Sequence, residues 1–335
     1  MNAERPLVSV VTANYNGAPH LAAAVRSVLD QSLANLELII VDDGSTDDSL
    51  AAVAQAMAGD PRVQVLAQDR NGGPGAARNR ALDVARGRWI AVFDSDDLMA
   101  PERLERLVNR AERDGCDILV DNLLVFDDRG ASRPFLPLSE EAQARWITLC
   151  DYIGASCVYA RTPSLGYLKP LFRAEALGAL RYAESLRIGE DYDLVLRLLL
   201  QGARMRLEPR AFYRYRKHAS SISSVLRREH IEAMMAADRS LSAELAARGP
   251  AVGRMQRART RAFERALVYD RLIARLKARQ LAPACALALA RPSVLPLLTM
   301  PIEARLKRLG ARLKTRSGSA TGPRSPPESL NAARL

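Results

Sequence analysis

Two hydrophobic rhythms divide this chain. Up to about residue 216, short apolar runs alternate with stretches whose apolar positions recur every three or four residues. The runs at 7–12, 36–41, 63–66, 88–93 and 117–122 read as strands, nearly continuous in apolar residues as strands covered on both faces are. Between them, Leu21, Val25, Val28 and Leu29 mark a helix over 19–32. Further helices are expected over Ser49–Met57, over Ala76–Ala85, and from Pro101, a good first helical position, to about Asp114. Ser45 with Asp47 or Asp48 is expected to cap the helix at Ser49. Residues 126–165 mix turns, prolines and one helix and read as an irregular wall. Leu194, Leu196, Leu198, Leu199 and Leu200 belong to a helix opened by Glu190-Asp191 and ended by Gly202. Arg204–Leu207 and Ala211–Tyr215 read as two short strands. This alternation predicts an α/β fold with a doubly wound, mostly parallel sheet.

From about Leu226 the rhythm becomes helical and basic. Arg-rich helices are expected to about Gln280, followed by the apolar stretch Ala284–Ala290, which Arg291, Pro292, Pro296 and Pro301 cut short of a membrane span. Ile302–Lys314 reads as a basic amphipathic helix. The Ser-, Pro- and Gly-rich end reads as disordered. Three regions are therefore expected: 1–225 as the α/β domain, 226–315 as a basic helical extension, and 316–335 as a tail. Charge follows the same division. The chain carries +11 overall, yet residues 227–335 hold 22 Lys and Arg against 8 Asp and Glu, leaving residues 1–226 slightly acidic. Such asymmetry points to an anionic partner for the extension, a membrane surface or nucleic acid. Aromatic residues are 5% of the chain and no nucleic-acid motif is present, so nucleic acid is set aside. Cys116, Cys150, Cys157 and Cys285 lack metal-ligand spacing and read as reduced, packed thiols, which fits a cytosolic setting. No signal peptide is expected, because the chain enters a strand within ten residues.

The candidate chemistry lies where strands end in carboxylates. Asp94-x-Asp96 with Asp97 follows Ile90-Ala91-Val92-Phe93, and Asp42-Asp43-Gly44-Ser45 follows Leu38-Ile39-Ile40-Val41. In an open α/β sheet, ligands gather at the carboxyl ends of the strands. Clustered carboxylates there repel unless a cation compensates, and hard oxygen donors on a short loop suit Mg²⁺ or Mn²⁺ carrying substrate phosphates. A carboxylate at the Asp42-Asp43 turn can accept the imide N–H of uracil or thymine. The facing loop, Asn71-Gly72-Gly73-Pro74-Gly75, permits close backbone approach, and Arg78 after it can grip a diphosphate. Glu190-Asp191 supplies a carboxylate able to deprotonate an acceptor hydroxyl. His218, in a basic, hydroxyl-rich segment, fits phosphate contact or an extra metal ligand.

Six segments in order resemble the inverting nucleotide-sugar glycosyltransferases of family two, which have the GT-A fold. They are Val8 to Asn16, Val41 to Asp47, Asn71 to Asn79, Phe93 to Asp97, Gly189 to Asp191, and Tyr213 to Ser221, together covering about residues 6–225. Within that family the chain is similar to bacterial exopolysaccharide enzymes of the succinoglycan type. The resemblance implies that Asp42, with Asp43, binds the base or ribose, that Asp94 and Asp96 hold ribose and metal, and that Asp191 is the catalytic base. Thr12, Asn14, Asn71, Gly72, Arg78 and Glu190 join the substrate-binding set, and Asp96 and His218 the metal set. The first strand ends Thr12-Ala13-Asn14-Tyr15-Asn16, where many relatives have Pro before Thr and a Thr-Tyr-Asn turn. The implied reaction moves one sugar, UDP-glucose being the favoured donor, to a lipid-linked or growing saccharide at the inner face of the plasma membrane. Metal-dependent nucleotidyl transfer is the other enzyme reading, but no Lys or Arg occurs in Thr12 to Gly17, where its signature would need one.

Overall fold

The computed structural model describes residues 5–127, 130–139, 141–160, 162–218 and 226–299. The helix expected over 302–314, the tail, and the last three residues of the Tyr213 to Ser221 segment lie outside the described residues. Two compact units are present, residues up to Leu267 and from Val268 onward, so packing changes some forty residues after composition does.

The first unit is built on a ten-stranded sheet whose main order is β3-β2-β1-β4-β9-β6-β10-β5. β1 (Val8–Asn14), β2 (Leu36–Asp42), β3 (Val63–Ala67) and β4 (Trp89–Asp94) pair in parallel. β1 and β2 are almost wholly buried, as their unbroken apolar sequences require. The helices between them, α1 (Ala18–Leu29), α2 (Ser49–Met57) and α3 (Pro74–Val84), cover the sheet. α4 (Arg103–Asp114) starts two residues after Pro101 and ends on Gly115 at φ +61°. Ser45 does not cap α2; its hydroxyl bonds Asp42, while Asp47 accepts the Ser49 amide at 3.1 Å.

The far half of the sheet departs from the sequence reading. β9 (Leu171–Arg173) enters antiparallel between β4 and β6 (Ile118–Phe126). Three residues carry too little periodicity to announce a strand. β6 and β10 (Met205–Arg216) are parallel to each other, and the two strands expected over Arg204–Leu207 and Ala211–Tyr215 are one. Its register shifts between Glu208 and Ala211, at Pro209, which has no N–H for the ladder. β5 (Leu98–Met99), β7 (Ser132–Pro134) and β8 (Arg145–Ile147) are short antiparallel edge additions. β3, β2, β1, β4, β6 and β10 thus all run one way, and their carboxyl ends share one edge. Strand order reverses between β1 and β4, which places the switch-point crevice at Asn14 and Asp94.

α5 (Leu149–Ala155), α6 (Ala174–Leu177) and α7 (Glu190–Leu200) follow, then α8 (Arg228–Ser240), α9 (Ser242–Ala247) and α10 (Pro250–Lys277). Leu186, Ile231, Met234, Met235, Phe263 and Ala266 form a second core that packs α8 and α10 against the segment entering α7. In the second unit, Leu272, Ala284 and Val294 join the end of α10, α11 (Leu281–Ala290) and a 3-10 helix at Pro292–Leu298. The four cysteines are free. Cys116 is buried, but Cys285 is exposed, contrary to the expectation of packed thiols.

Candidate active site

At the carboxyl end of β2, Asp42 is 3% exposed. It accepts hydrogen bonds from Asn14 Nδ2 at 2.8 Å, from the Ser45 hydroxyl at 2.6 Å and from the Ser45 amide at 3.0 Å. Gly44 makes this turn at φ +72°, where a Cβ would meet the Arg70 backbone at 2.9 Å. Asp43, expected beside Asp42 as a ligand contact, faces the glycine loop. Its two oxygens accept the Gly72 and Gly73 amides at 2.7 and 2.8 Å and pin the glycine loop to β2. Asn71 accepts a bond from Arg187 Nη1 at 2.6 Å, and that guanidinium lies against Gly73. Thr12 Oγ1 and Asn14 Oδ1, at the end of β1, are buried without a hydrogen-bond partner. Both side chains are buried beside the strand end, Thr12 2% and Asn14 1% exposed.

The acidic turn after β4 is organised by β10. The Tyr213 hydroxyl accepts the Asp94 amide at 3.1 Å and donates to Asp97 Oδ2 at 2.8 Å. The Arg216 amide donates to Asp97 Oδ1 at 2.6 Å, and Arg216 Nε to the Asp96 carbonyl at 2.9 Å. Burial, then repulsion from Asp96 and Asp94, pushes Asp97 well above the usual carboxylate range. His218 Nε2 lies 2.7 Å from Asp96 Oδ2, so these two expected metal-site residues are in contact. Asp94, Asp96 and Asp97 each offer an oxygen within 4.8 Å of the others. Asp97 is fully buried with both oxygens engaged, so Asp94 and Asp96 are the accessible carboxylates of this turn, hard donors of the kind that suit Mg²⁺ or Mn²⁺.

The third group surrounds the start of α7. Gly189 enters it at φ +88°, packed so that a Cβ would meet Met234 Sδ at 2.8 Å. Arg78 reaches across from α3 and ties the groups together. Its Nη2 donates to Asp94 Oδ1 at 2.6 Å, and its Nη1 to Glu190 Oε1 at 2.8 Å and Asp191 Oδ1 at 3.4 Å. Arg78, expected to grip a diphosphate, makes these carboxylate contacts through Nη1 and Nη2, while its Nε is buried without a partner. Lys169, which sequence reasoning missed, lies 2.7 Å from Asp94 Oδ2 and 3.2 Å from Asp191 Oδ2. Burial works against Asp94's charge, but Lys169 and Arg78 outweigh it and bring the carboxyl down to about 2. Burial and Asp191 raise Glu190. Tyr182 was also missed. Its backbone is clamped by Asn79, its ring faces Arg78, and its hydroxyl is buried without a partner. Neither residue belongs to a strand-end motif; only the folded chain brings them to the sheet edge.

Residues 9–164 match the model of glycosyl transferase family 2. The chain is 43% identical over 331 residues to the succinoglycan biosynthesis protein ExoO of Rhizobium meliloti, covering 98% of this chain and 94% of that protein. Among solved structures it resembles S. aureus TarS 1–349 in complex with UDP-GlcNAc, with a TM-score of 0.57 at 24% identity over 70% of this chain and 66% of that one. It also resembles the mannosyltransferase PcManGT of Pyrobaculum calidifontis with GDP-Man and Mn²⁺, with a TM-score of 0.56 at 18% identity over 92% and 88%. The two structural likenesses speak for the GT-A fold, and the near full-length identity to ExoO for the family: this chain belongs to glycosyl transferase family 2.

Proposed function

We propose that this enzyme transfers one sugar, with inversion, from a nucleoside-diphosphate sugar to a hydroxyl of a lipid-linked or growing saccharide in exopolysaccharide or cell-surface glycan synthesis. The observation that carries this reading is the meeting of Asp42, the Asp94–Asp96 turn and Asp191 at one sheet edge, although these residues come from three separate elements. UDP-glucose is the favoured donor. A carboxylate at Asp42, with the unpartnered polar atoms of Thr12 and Asn14 near it at the strand ends, suits the imide edge of uracil. The relative in succinoglycan synthesis supports the exopolysaccharide setting.

Asp96, with His218 against it, would hold Mg²⁺ or Mn²⁺, which when bound would supply Lewis-acid neutralisation of the diphosphate, while Asp94 would face the ribose. Asp191 takes the acceptor hydroxyl's proton. The acceptor oxygen bonds the anomeric carbon while that carbon's bond to the diphosphate oxygen breaks, its electron pair leaving with the nucleoside diphosphate. One displacement inverts the carbon and needs no enzyme nucleophile. The loop at Asn71 and Gly72, held by Asp43, forms the wall against which the donor lies.

The basic composition of residues 226–315 supports peripheral attachment to an anionic bilayer, the source of a lipid-linked acceptor. Leu281, Leu289 and Leu295 are 64%, 82% and 46% exposed. Arg271, Arg275, Lys277, Arg279 and Arg291 lie around them in sequence, and basic residues near an anionic surface attract it by about 1 kcal/mol each. Among the described residues no single helix is long and apolar enough to cross a membrane; α11 and the 3-10 helix together have the apolar length but are bent by 117°.

The test is a panel of nucleotide sugars with Mn²⁺ or Mg²⁺ and detection of free nucleoside diphosphate. Metal-dependent release from a UDP-sugar is expected. Release of inorganic diphosphate instead would assign nucleotidyl transfer.

A further inference from the structure

Two buried cations and two strand- or helix-end carboxylates form a closed ring. Asp94 Oδ1 pairs with Arg78 Nη2 at 2.6 Å, and Arg78 Nη1 reaches Asp191 Oδ1 at 3.4 Å. Asp191 Oδ2 pairs with Lys169 at 3.2 Å, and Lys169 closes the ring on Asp94 Oδ2 at 2.7 Å. The two cations are not equivalent. Arg78 Nη1 lies closer to Glu190, at 2.8 Å, than to Asp191. Lys169 is therefore the nearer cation to Asp191, and its only other carboxylate partner among the described residues is Asp94.

The Lys169 backbone is itself fixed. Arg103 Nη2 donates to the Lys169 carbonyl at 2.8 Å, and Arg103 is locked by a fully buried ion pair with Asp121. The next carbonyl, of Pro170, accepts the Val92 amide of β4 at 3.0 Å. A lysine side chain is flexible in general, but this one starts from an anchored backbone, is 7% exposed, and ends between two acids. Burial alone would strip its charge; Asp94 and Asp191 restore it and hold its pKa well above the ordinary value.

We propose that Lys169 is a positioning residue of the transfer reaction: its ammonium spans from Asp94 to Asp191 and fixes the base carboxylate at the sheet edge through Oδ2, so that Oδ1, held only by the longer 3.4 Å contact with Arg78, is the oxygen that takes the acceptor's proton. This rests on the reading of Asp191 as the base. A base held by a fixed cation cannot swing to another rotamer, and a misplacement on the ångström scale costs about 100-fold in rate. Lys169 touches carboxylates at the centre of the site rather than the Asp42 pocket. It also pairs with Asp94, so its loss should lower turnover, through Asp191, far more than it lowers nucleotide affinity.

The test compares the full-length wild-type chain with K169M and K169R. UDP release from UDP-glucose with Mn²⁺ gives kcat and KM, titration calorimetry with UDP gives affinity, and crystal structures give the Asp191 side-chain position. For K169M the expected result is a kcat lower by about 100-fold with KM and UDP affinity within about threefold, and an Asp191 carboxylate displaced from its wild-type place. K169R, which keeps the charge, restores most of kcat. K169Q carries the same comparison if K169M does not fold. A K169M or K169Q enzyme with kcat near wild type overturns the inference, as does an Asp191 that stays in place without Lys169. If wild type releases no nucleoside diphosphate from any nucleotide sugar, the transferase reading falls. The crystallographic comparison then still decides whether Lys169 fixes Asp191.

Discussion

Asp94 is held on both oxygens by buried cations, and its stability contribution has a sign. Its folded pKa of about 2 lies below the ordinary carboxyl value, so the unfolded chain binds the proton more readily. The contribution is full above about pH 4, amounts to about 2 kcal/mol, and is lost as pH falls through about 2. Urea melts of wild type and D94N should therefore differ most near pH 5 and converge toward pH 2; a constant gap would show that Lys169 and Arg78 do not control Asp94. His218 against Asp96 makes a second prediction. H218A should weaken Mn²⁺ binding in the presence of UDP by ~10–100-fold by calorimetry, the range typical of a partner that orients a ligand. The acids of this site were legible in the sequence because each follows an apolar strand or opens a helix. Lys169 and Tyr182 were not, because their meaning arises from through-space contacts that the local pattern does not encode. Asp43 was legible as a site residue but not as the clamp on Gly72 and Gly73.

The start of α7 sets where the base stands, and it depends on elements outside the sheet. Gly189 turns into the helix in the left-handed region against Met234 of α8. Arg259 of α10 stacks 3.7 Å from the Tyr192 ring and pairs with Asp238 at 2.8 Å. The basic helices of the first unit thus brace the site as well as carrying charge. G189A combines a strained φ with a clash, so it should destabilise the chain by about 1–3 kcal/mol in urea unfolding and lower kcat more than it raises KM. Unchanged stability would mean that the helix entry is not fixed by this turn. At this scale the long apolar strands and α2, α3 and α7 were readable from periodicity. β9 was not, since three residues cannot show a period. The bulge at Pro209 made one strand look like two, because a break in the alternation and a break in the strand look alike in sequence.

Across the whole molecule, charge separates from chemistry: the acidic edge lies in residues 1–226, and the positive excess follows it. If the extension meets an anionic bilayer, L281E/L289E in the full-length chain should lose sedimentation with vesicles containing phosphatidylglycerol while keeping wild-type UDP affinity; unchanged sedimentation would remove these leucines from the contact. The division of the chain was readable from composition at residue 226, but the packing boundary at 267 was not, because α8 and the first part of α10 present apolar faces to the first unit that their arginines mask in any composition count. In the proposed reaction one carboxylate, Asp191, removes the acceptor's proton, and other residues of the site bind the nucleotide sugar. The most direct test measures wild type and D191N side by side, for UDP affinity and for turnover of the donor the panel identifies. UDP affinity is expected to stay within about threefold and turnover to fall by about 1,000-fold or more. A D191N enzyme that turns over near the wild-type rate would contradict this role of Asp191.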